Sequence, residues 1–397
     1  MKITEITNGI HYVGVNDRCK YKFENLWPLP YGVSYNAYLI TDKKNVLIDT
    51  VDAAYTDRLL DNITEIIGDG KIDYLIINHM EPDHSGSIRL IKQHYPGIII
   101  VGNKQTFGMI EGFYGVTGEQ YLVKEGDFLA LGHHKLRFYM TPMVHWPETM
   151  MTFDETDGVL FSGDGFGCFG TVDGGFLDTR INVDKYWGEM VRYYSNIVGK
   201  YGSPVQKALQ KLGGLPISAI CSTHGPVWTE NIAKVIGIYD RLSRYDADEG
   251  VVIAYGSMYG NTEQMAEAIA EELSAQGVKN IVMHNVTKSH PSYIIADIFR
   301  YKGLIIGSPT YSNQIFPEVE ALLSKILLRE VKGRYLGYFG SFAWAGAAVK
   351  RLAEFAEKSK FELIGDPVEM KQAMKDLTYT QCENLARAMA DRLKKDR

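Results

Sequence analysis

The sequence predicts two domains that together combine α+β and α/β architecture. Residues 1–249 read as strand-rich, and residues 250–397 as a doubly wound sheet of five parallel strands. Three observations carry this. A chain of 397 residues exceeds what one hydrophobic core usually organises. Residues 1–245 hold many short β-branched or aromatic runs bounded by Gly, Asp, Asn or Pro. After Gly250 the rhythm becomes strand, helix, strand, helix, the pattern of a parallel sheet covered on both faces.

In the first half, strands are expected within residues 6–15, 35–50, 72–79, 97–102, 135–142, 158–166 and 219–225. Helical periodicity is best from Asp83 to His94, Val183 to Val198 and Pro204 to Leu212. The charged run Arg241 to Glu249 reads as the connector.

In the second half, VVIAYGS (251–257) is a short, wholly apolar run of the kind buried in parallel sheets. It leads into an amphipathic helix, 262–276, with Thr262 as the expected N-cap and Gly277 just past the end. The remaining strands are IVMHNV (281–286), GLIIGSPT (303–310), YLGYFGS (335–341) and FELIG (361–365). Helices are expected at Pro291–Phe299, Pro317–Leu328, Ala347–Ser359 and Thr380–Lys395. No internal repeat interrupts either half.

Bulk properties narrow the function. A net charge of −6, with no basic face, argues against nucleic acid as a partner. No run approaches the roughly 18 apolar residues of a membrane span, and the N-terminus lacks the pattern of a signal peptide. A cytoplasmic location is expected. Cys19, Cys168, Cys221 and Cys382 form no C-x-x-C pair, which argues against iron–sulfur or rubredoxin-type centres and against a disulfide framework.

The strongest chemical signal is His79-Met80-Glu81-Pro82-Asp83-His84, which follows an apolar strand and opens a helix. Four potential ligands in six residues are costly to pack together without a cation to neutralise them. His145, Asp164 and His224 each follow a predicted strand at its C-terminal end, on the same edge as the first cluster. His11, His94, His133, His134, His284 and His290 have no such company and read as solvated or packed.

The motif resembles the first motif of the metallo-β-lactamase superfamily, H-x-H-x-D-H, with Glu81 in place of the second histidine. Histidine-rich sites suit zinc, whereas added carboxylates favour harder or redox-active ions such as iron. Three carboxylates and four histidines are close to what two irons need.

The second half carries three loops at the carboxyl edge of its sheet: Ser257-Met258-Tyr259-Gly260-Asn261-Thr262, Ser308-Pro309-Thr310-Tyr311-Ser312-Asn313 and Ser341-Phe342-Ala343-Trp344-Ala345-Gly346. The first places hydroxyls and backbone N–H groups at a helix N-terminus, ready for an anion. It is neither a Walker A nor a G-x-G-x-x-G sequence, which weakens nucleotide triphosphate and dinucleotide readings. Hydroxyls for a phosphate, aromatics to cover a ring and glycine for close approach suit FMN.

This second half resembles a short-chain flavodoxin. A lactamase-like domain with H-x-E-x-D-H followed by a flavodoxin-like domain is the architecture of the flavodiiron proteins, and the resemblance spans essentially the whole chain. It implies an N-terminal αββα sandwich and a C-terminal flavodoxin-like sheet. It further implies one iron on His79, Glu81 and His145, a second on Asp83, His84 and His224, and Asp164 bridging them. In some relatives the equivalent of His84 turns away and water replaces it. FMN would lie among Ser257–Thr262, Pro309–Asn313 and Ser341–Gly346. The activity implied is reduction of dioxygen to water, of nitric oxide to nitrous oxide, or both. With no appended rubredoxin domain, electrons would come from a separate rubredoxin or a reduced flavin or deazaflavin donor. Family members assemble head to tail, one subunit's FMN facing the other's di-iron site, as dimers or dimers of dimers. Two other readings stand beside this one: a metallohydrolase with an accessory flavodoxin-like part, and a non-enzymatic electron carrier.

Overall fold

The computed structural model describes residues 5–396, so the chain ends 1–4 and 397, assigned above to the two domains, lie outside the described residues. The chain divides into two compact units. One runs through Tyr194 and resumes at Tyr201–Ser243; the other comprises Ser195–Lys200 and everything from Arg244 onward.

The first unit is a sandwich of two sheets. The larger is ordered Glu5–Thr7, Ile10–Tyr12, Tyr38–Ile40, Val46–Ile48, Tyr74–Ile76, Ile99–Gly102 and Gln120–Leu122. Its first four strands pair antiparallel and its last four parallel. The smaller runs Phe128–Ala130, Lys135–Met140, Met150–Asp154, Val159–Gly163 and Ala219–Ser222, with only the last pair parallel. Ile10, Tyr38, Ile48 and Ile76 from one sheet pack with Phe138, Met150, Phe161 and Cys221 from the other in a single apolar core. Helices Thr56–Ile67, Lys104–Tyr114, Gly202–Leu212 and Ile232–Ser243 each bury one stripe, as Leu59 and Ile63 do in the first.

Several elements differ from expectation. The strand Met150–Asp154 was not foreseen: it is buried on both faces and so lacks alternation, and it is rich in methionine rather than β-branched residues. The single helix expected over 83–94 is two, Pro82–Ser85 and Ile88–His94. The helix expected over 183–198 is α-helical only to Tyr193 and continues as a π-turn, Tyr194–Val198. The charged run 241–249 is not one connector. It is shared between the end of a helix at Ser243 and the start of a strand at Asp248.

The second unit is a parallel sheet in the order Ile281–Asn285, Asp248–Tyr255, Tyr301–Tyr311 and Tyr335–Phe342, with Glu362–Leu363 and Val368–Lys371 lying one after the other along the last. This is the 2-1-3-4-5 order of flavodoxin-like folds. Burial on both faces explains the unbroken apolar runs of the central strands. The helices Asn261–Ala275 and Asp376–Lys394 pack with each other against it through Met265, Ile269, Leu385 and Met389. The fifth strand is cut short at Leu363, because Gly365 is left-handed at φ +69° and Pro367 follows. The edge resumes at Val368. The last helix begins at Asp376 rather than Thr380. The N-cap of the first is Gly260, at φ +90°, rather than Thr262.

Candidate active site: a carboxylate–histidine cluster and a flavin-sized pocket

Strand ends position the cluster. Tyr74–Ile76 delivers His79, and Glu81 stands at the N-cap of Pro82–Ser85, the short helix that carries Asp83 and His84. The parallel pair Val159–Gly163 and Ala219–Ser222 ends side by side, with Gly163 opposite Ser222, so Asp164 and His224 emerge together. Gly163 bends the chain there at φ +54°. His145 sits in the turn between Lys135–Met140 and Met150–Asp154.

All seven side chains are buried, and they form two groups, His79/Glu81/His145/Asp164 and Asp83/His84/His224. Within each group the ligand-type atoms lie within 4.8 Å of one another. Asp164 joins them. Its Oδ2 is 3.1 Å from His145 Nε2 and 3.5 Å from His79 Nε2, while its Oδ1 is 3.1 Å from His84 Nε2 and 3.8 Å from His224 Nε2. Glu81 Oε2 lies 3.0 Å from His145 Nε2. Asp83 offers one oxygen to His84 and the other to His224, each at 3.4 Å.

Electrostatics follow the crowding. Burial opposes protonation of His145, but the adjoining Asp164 and Glu81 carboxylates overcome this and push it up to about 9. Burial also opposes protonation of His79, yet the Asp164, Glu148 and Glu81 carboxylates lift it well above the ordinary value. Burial favours a neutral Asp164, but His79, His84 and His145 hold it well below the usual carboxylate range. Such a cluster balances its charges with protons or with metal.

The unpaired atoms favour metal. His79 Nε2, both Asp83 oxygens and Asp164 Oδ2 are inaccessible to solvent and make no hydrogen bond. Buried polar atoms are rarely left so, and these converge on shared centres. Mixed imidazole and carboxylate donors, with one carboxylate facing both groups, fit two iron ions.

The second unit holds a cavity of about 430 Å³ at the carboxyl ends of its strands. Met258, Tyr259, Asn261, Pro309, Thr310, Tyr311, Asn313, Ser341, Phe342, Ala343 and Trp344 line it, as do Ser312, Ala345 and Gln372. Trp344 is 84% exposed and Tyr259 91% exposed, an unusual state for large aromatics that have nothing to cover. The N-cap of the helix behind the first loop is Gly260, which has no side chain; Ser257 Oγ accepts the Glu263 N–H at 3.4 Å, and the N–H groups of Asn261 and Thr262 at the same end face the loop, where a phosphate would bind. Ring-sized space, aromatic walls and a helix N-terminus fit FMN.

Four residues named from the sequence lie outside that lining. Ser257 Oγ accepts the N–H of Gly260 and shapes the loop. Gly260 supplies the left-handed turn. Thr262 is buried and hydrogen-bonded to Ser341 Oγ at 2.8 Å. Gly346 packs against Glu369, where a Cβ would meet Oε1 at 2.5 Å. Thr310, although part of the lining, spends its hydroxyl on the backbone N–H groups of Ala347 and Ala348.

Comparison with known proteins decides between the readings. Residues 33–225 match the family described as ODP family beta lactamase, and residues 253–384 match Flavodoxin. A protein named rubredoxin-oxygen oxidoreductase, from Megalodesulfovibrio gigas, is 34% identical over 99% of both chains. The chain belongs to the flavodiiron protein family. An anaerobic nitric oxide reductase flavorubredoxin from Vibrio vulnificus is 33% identical over 90% of this chain and 73% of its own. The crystal structure of the flavodiiron protein from Giardia intestinalis superposes with a TM-score of 0.93 at 26% identity, covering 100% of this chain and 98% of that one.

Around this flavodiiron protein's cluster, motif reading missed Glu148, Asp49, Ser34 and Thr223. Glu148 Oε1 accepts both His79 Nδ1–H and the backbone N–H of Met80 at 2.9 Å. Asp49 accepts the N–H of Asn78 at 2.7 Å, and burial pushes its carboxyl up to about 6. His224 Nδ1 donates to Ser34 O at 2.8 Å, and Thr223 Oγ1 to Asp164 Oδ1 at 2.6 Å. The contacts from Glu148 and Ser34 fix which imidazole nitrogen of His79 and of His224 faces the centre of the cluster. Trp146 stands edge-on to His79, at 5.4 Å between ring centres. Trp27 is buried and donates to Glu24. In the flavin pocket the missed residue is Gln372, which follows the unforeseen strand Val368–Lys371.

Proposed function

We propose that this flavodiiron protein reduces dioxygen to water, nitric oxide to nitrous oxide, or both. His79, Glu81 and His145 would hold one iron, Asp83, His84 and His224 the other, and Asp164 would bridge them. The observation that carries this reading is the division of the two Asp164 oxygens between the two groups. FMN would occupy the pocket around Trp344 and Tyr311. When bound, two ferrous ions would supply adjacent binding positions and electrons for the gas, and FMN would replenish those electrons.

The chain's own residues do the rest. Glu148 and Ser34 hold the Nδ1 atoms of His79 and His224 so that each Nε2 faces inward. Burial of all seven ligands excludes bulk water from the reduction. A separate rubredoxin, or a reduced flavin or deazaflavin donor, would supply electrons in a reducing cytoplasm, in keeping with four free cysteines. No helix among the described residues is long and apolar enough to cross a membrane. We also propose a head-to-tail dimer, or a dimer of dimers, in which one protomer's FMN serves its partner's irons.

The test begins anaerobically with metal and flavin analysis, followed by mixing the photoreduced protein with either gas. Two irons and one FMN per chain, with flavin reoxidised by gas, support the reading, and the ratio of rates names the substrate. Zinc with an inert flavin would favour the hydrolase. For the dimer, Asp164→Ala chains that carry FMN but no iron, mixed with chains that carry iron but are stripped of FMN, regain activity if the sites pair across subunits, and stay inactive otherwise.

A further inference from the structure

Thr310 lines the flavin-sized cavity, yet its hydroxyl is already committed to the protein's own backbone. Resting on the flavin reading of that cavity, we infer that Thr310 is a positioning residue. Its hydroxyl clamps the loop that carries Trp344 to the hairpin that carries Tyr311, and so sets the slot that the flavin ring enters.

Thr310 Oγ1 accepts the backbone N–H of Ala347 at 3.0 Å and that of Ala348 at 3.2 Å. These two groups open the helix Ala348–Ser359, whose N-cap, Ala347, has no side-chain oxygen to offer. The first N–H groups of a helix have no partner within it, and a Ser, Thr, Asp or Asn at the cap itself usually serves one of them. Here the cap comes from a residue 37 positions away in sequence. A local cap would stabilise the helix alone. This one also joins two walls of the cavity.

The hairpin side is stiff. Thr310 pairs with Ile315 and Tyr311 with Gln314, around a turn in which Ser312 and Asn313 are left-handed at φ +48° and +58°. Ser308 Oγ accepts the N–H of Phe316 at 3.2 Å across the base of the hairpin. Phe316 in turn stands edge-on to Tyr311, with 6.2 Å between ring centres.

The other loop is held at its start, where Ser341 Oγ meets Thr262 Oγ1 at 2.8 Å and Phe342 O accepts the Gln372 N–H at 2.8 Å. Thr310 holds its end. Between these anchors lie Trp344, Ala345 and Gly346, all exposed. An exposed indole buries too little area to fix its own loop, so the place of Trp344 depends on the anchors. A slot preformed by them spares the flavin the cost of ordering it.

The test titrates full-length protein, stripped of FMN, with FMN. Wild type that takes up no FMN would sink the flavin reading and the inference with it. Thr310→Val keeps the side chain's shape and removes the acceptor. It should weaken FMN binding by about 5- to 30-fold, from the typical to the largest loss of a helix cap, and shift the flavin's reduction potential. Thr310→Ser restores the acceptor and should return both to wild-type values. In FMN-free protein, the Ala347 and Ala348 amides should exchange with solvent faster in Thr310→Val than in wild type. A residue that acts through Trp344 loses its effect once the indole is gone, so adding Thr310→Val to Trp344→Ala should cost less than about twofold more. Wild-type affinity and potential in Thr310→Val, unchanged exchange at the two amides, or losses that multiply in full in the double variant would each overturn the clamp.

Discussion

Glu148 Oε1 lies 2.9 Å from His79 Nδ1, and both side chains are completely excluded from solvent. The same oxygen accepts the Met80 N–H, while Oε2 has no partner. A carboxylate so placed fixes the tautomer of a metal-facing imidazole and raises its basicity.

Glu148→Gln is therefore expected to fold, since the amide oxygen can still accept the Met80 N–H, but to bind iron about 10- to 100-fold more weakly. Competition against a chelator of known affinity measures this. Unchanged affinity would reduce Glu148 to a packing role.

The cluster's protons predict a pH dependence for metal-free protein. His145 is held at about 9 when folded, against its ordinary 6.5. It therefore binds its proton more tightly folded than unfolded. That contribution to stability is complete below about pH 6.5 and is lost as pH rises through about 9. Metal displaces the proton, so metal-loaded protein should lack this loss. Thermal midpoints of both forms between pH 6 and 9.5 check it; parallel curves would contradict it. Calorimetry in buffers of different ionisation enthalpy should also show proton release on metal binding, greater at pH 7 than at pH 9.5.

How much of this was legible depends on where the information lies. The sequence His79 to His84 concentrates four titratable groups in one strand-to-helix turn, and His145, Asp164 and His224 each follow a strand, so their convergence could be read. Glu148 could not. In sequence it is a glutamate after Pro147, and only the pairing of Lys135–Met140 with Met150–Asp154, the latter an unforeseen strand, turns it toward His79. Gln372 depends likewise on Val368–Lys371, whose alternating burial hides in a run broken by Gly365 and Pro367. Thr262 looked like a cap because hydroxyls cap helices, but the left-handed Gly260 starts the helix earlier. Local chemistry was readable; contacts made by long-range pairing were not.

Asp164 divides its oxygens between the two ligand groups, so Asp164→Ala is expected to abolish stable occupancy at both metal positions. FMN should remain, since the flavin pocket is lined entirely by residues from Met258 onward. Metal and flavin stoichiometry on one sample reads both outcomes. Two irons retained in the variant would refute a bridging role.

Trp344 is 84% exposed on the wall of the flavin-sized cavity. Removing its ring costs the fold little, because an exposed side chain contributes little buried area. Aromatic stacking is worth about 0.5–1.5 kcal/mol, so Trp344→Ala should weaken FMN binding by about 2- to 13-fold while leaving metal content intact. The loss of a stacking wall should also shift the flavin's reduction potential, because the oxidised and reduced rings differ in charge and shape. Titrating apoprotein with FMN, followed by potentiometry of the reconstituted protein, separates the two effects. If affinity and potential both stay at wild-type values, Trp344 does not cover the flavin, and the other exposed aromatics of the pocket, Tyr259 and Tyr311, become the candidates for that wall.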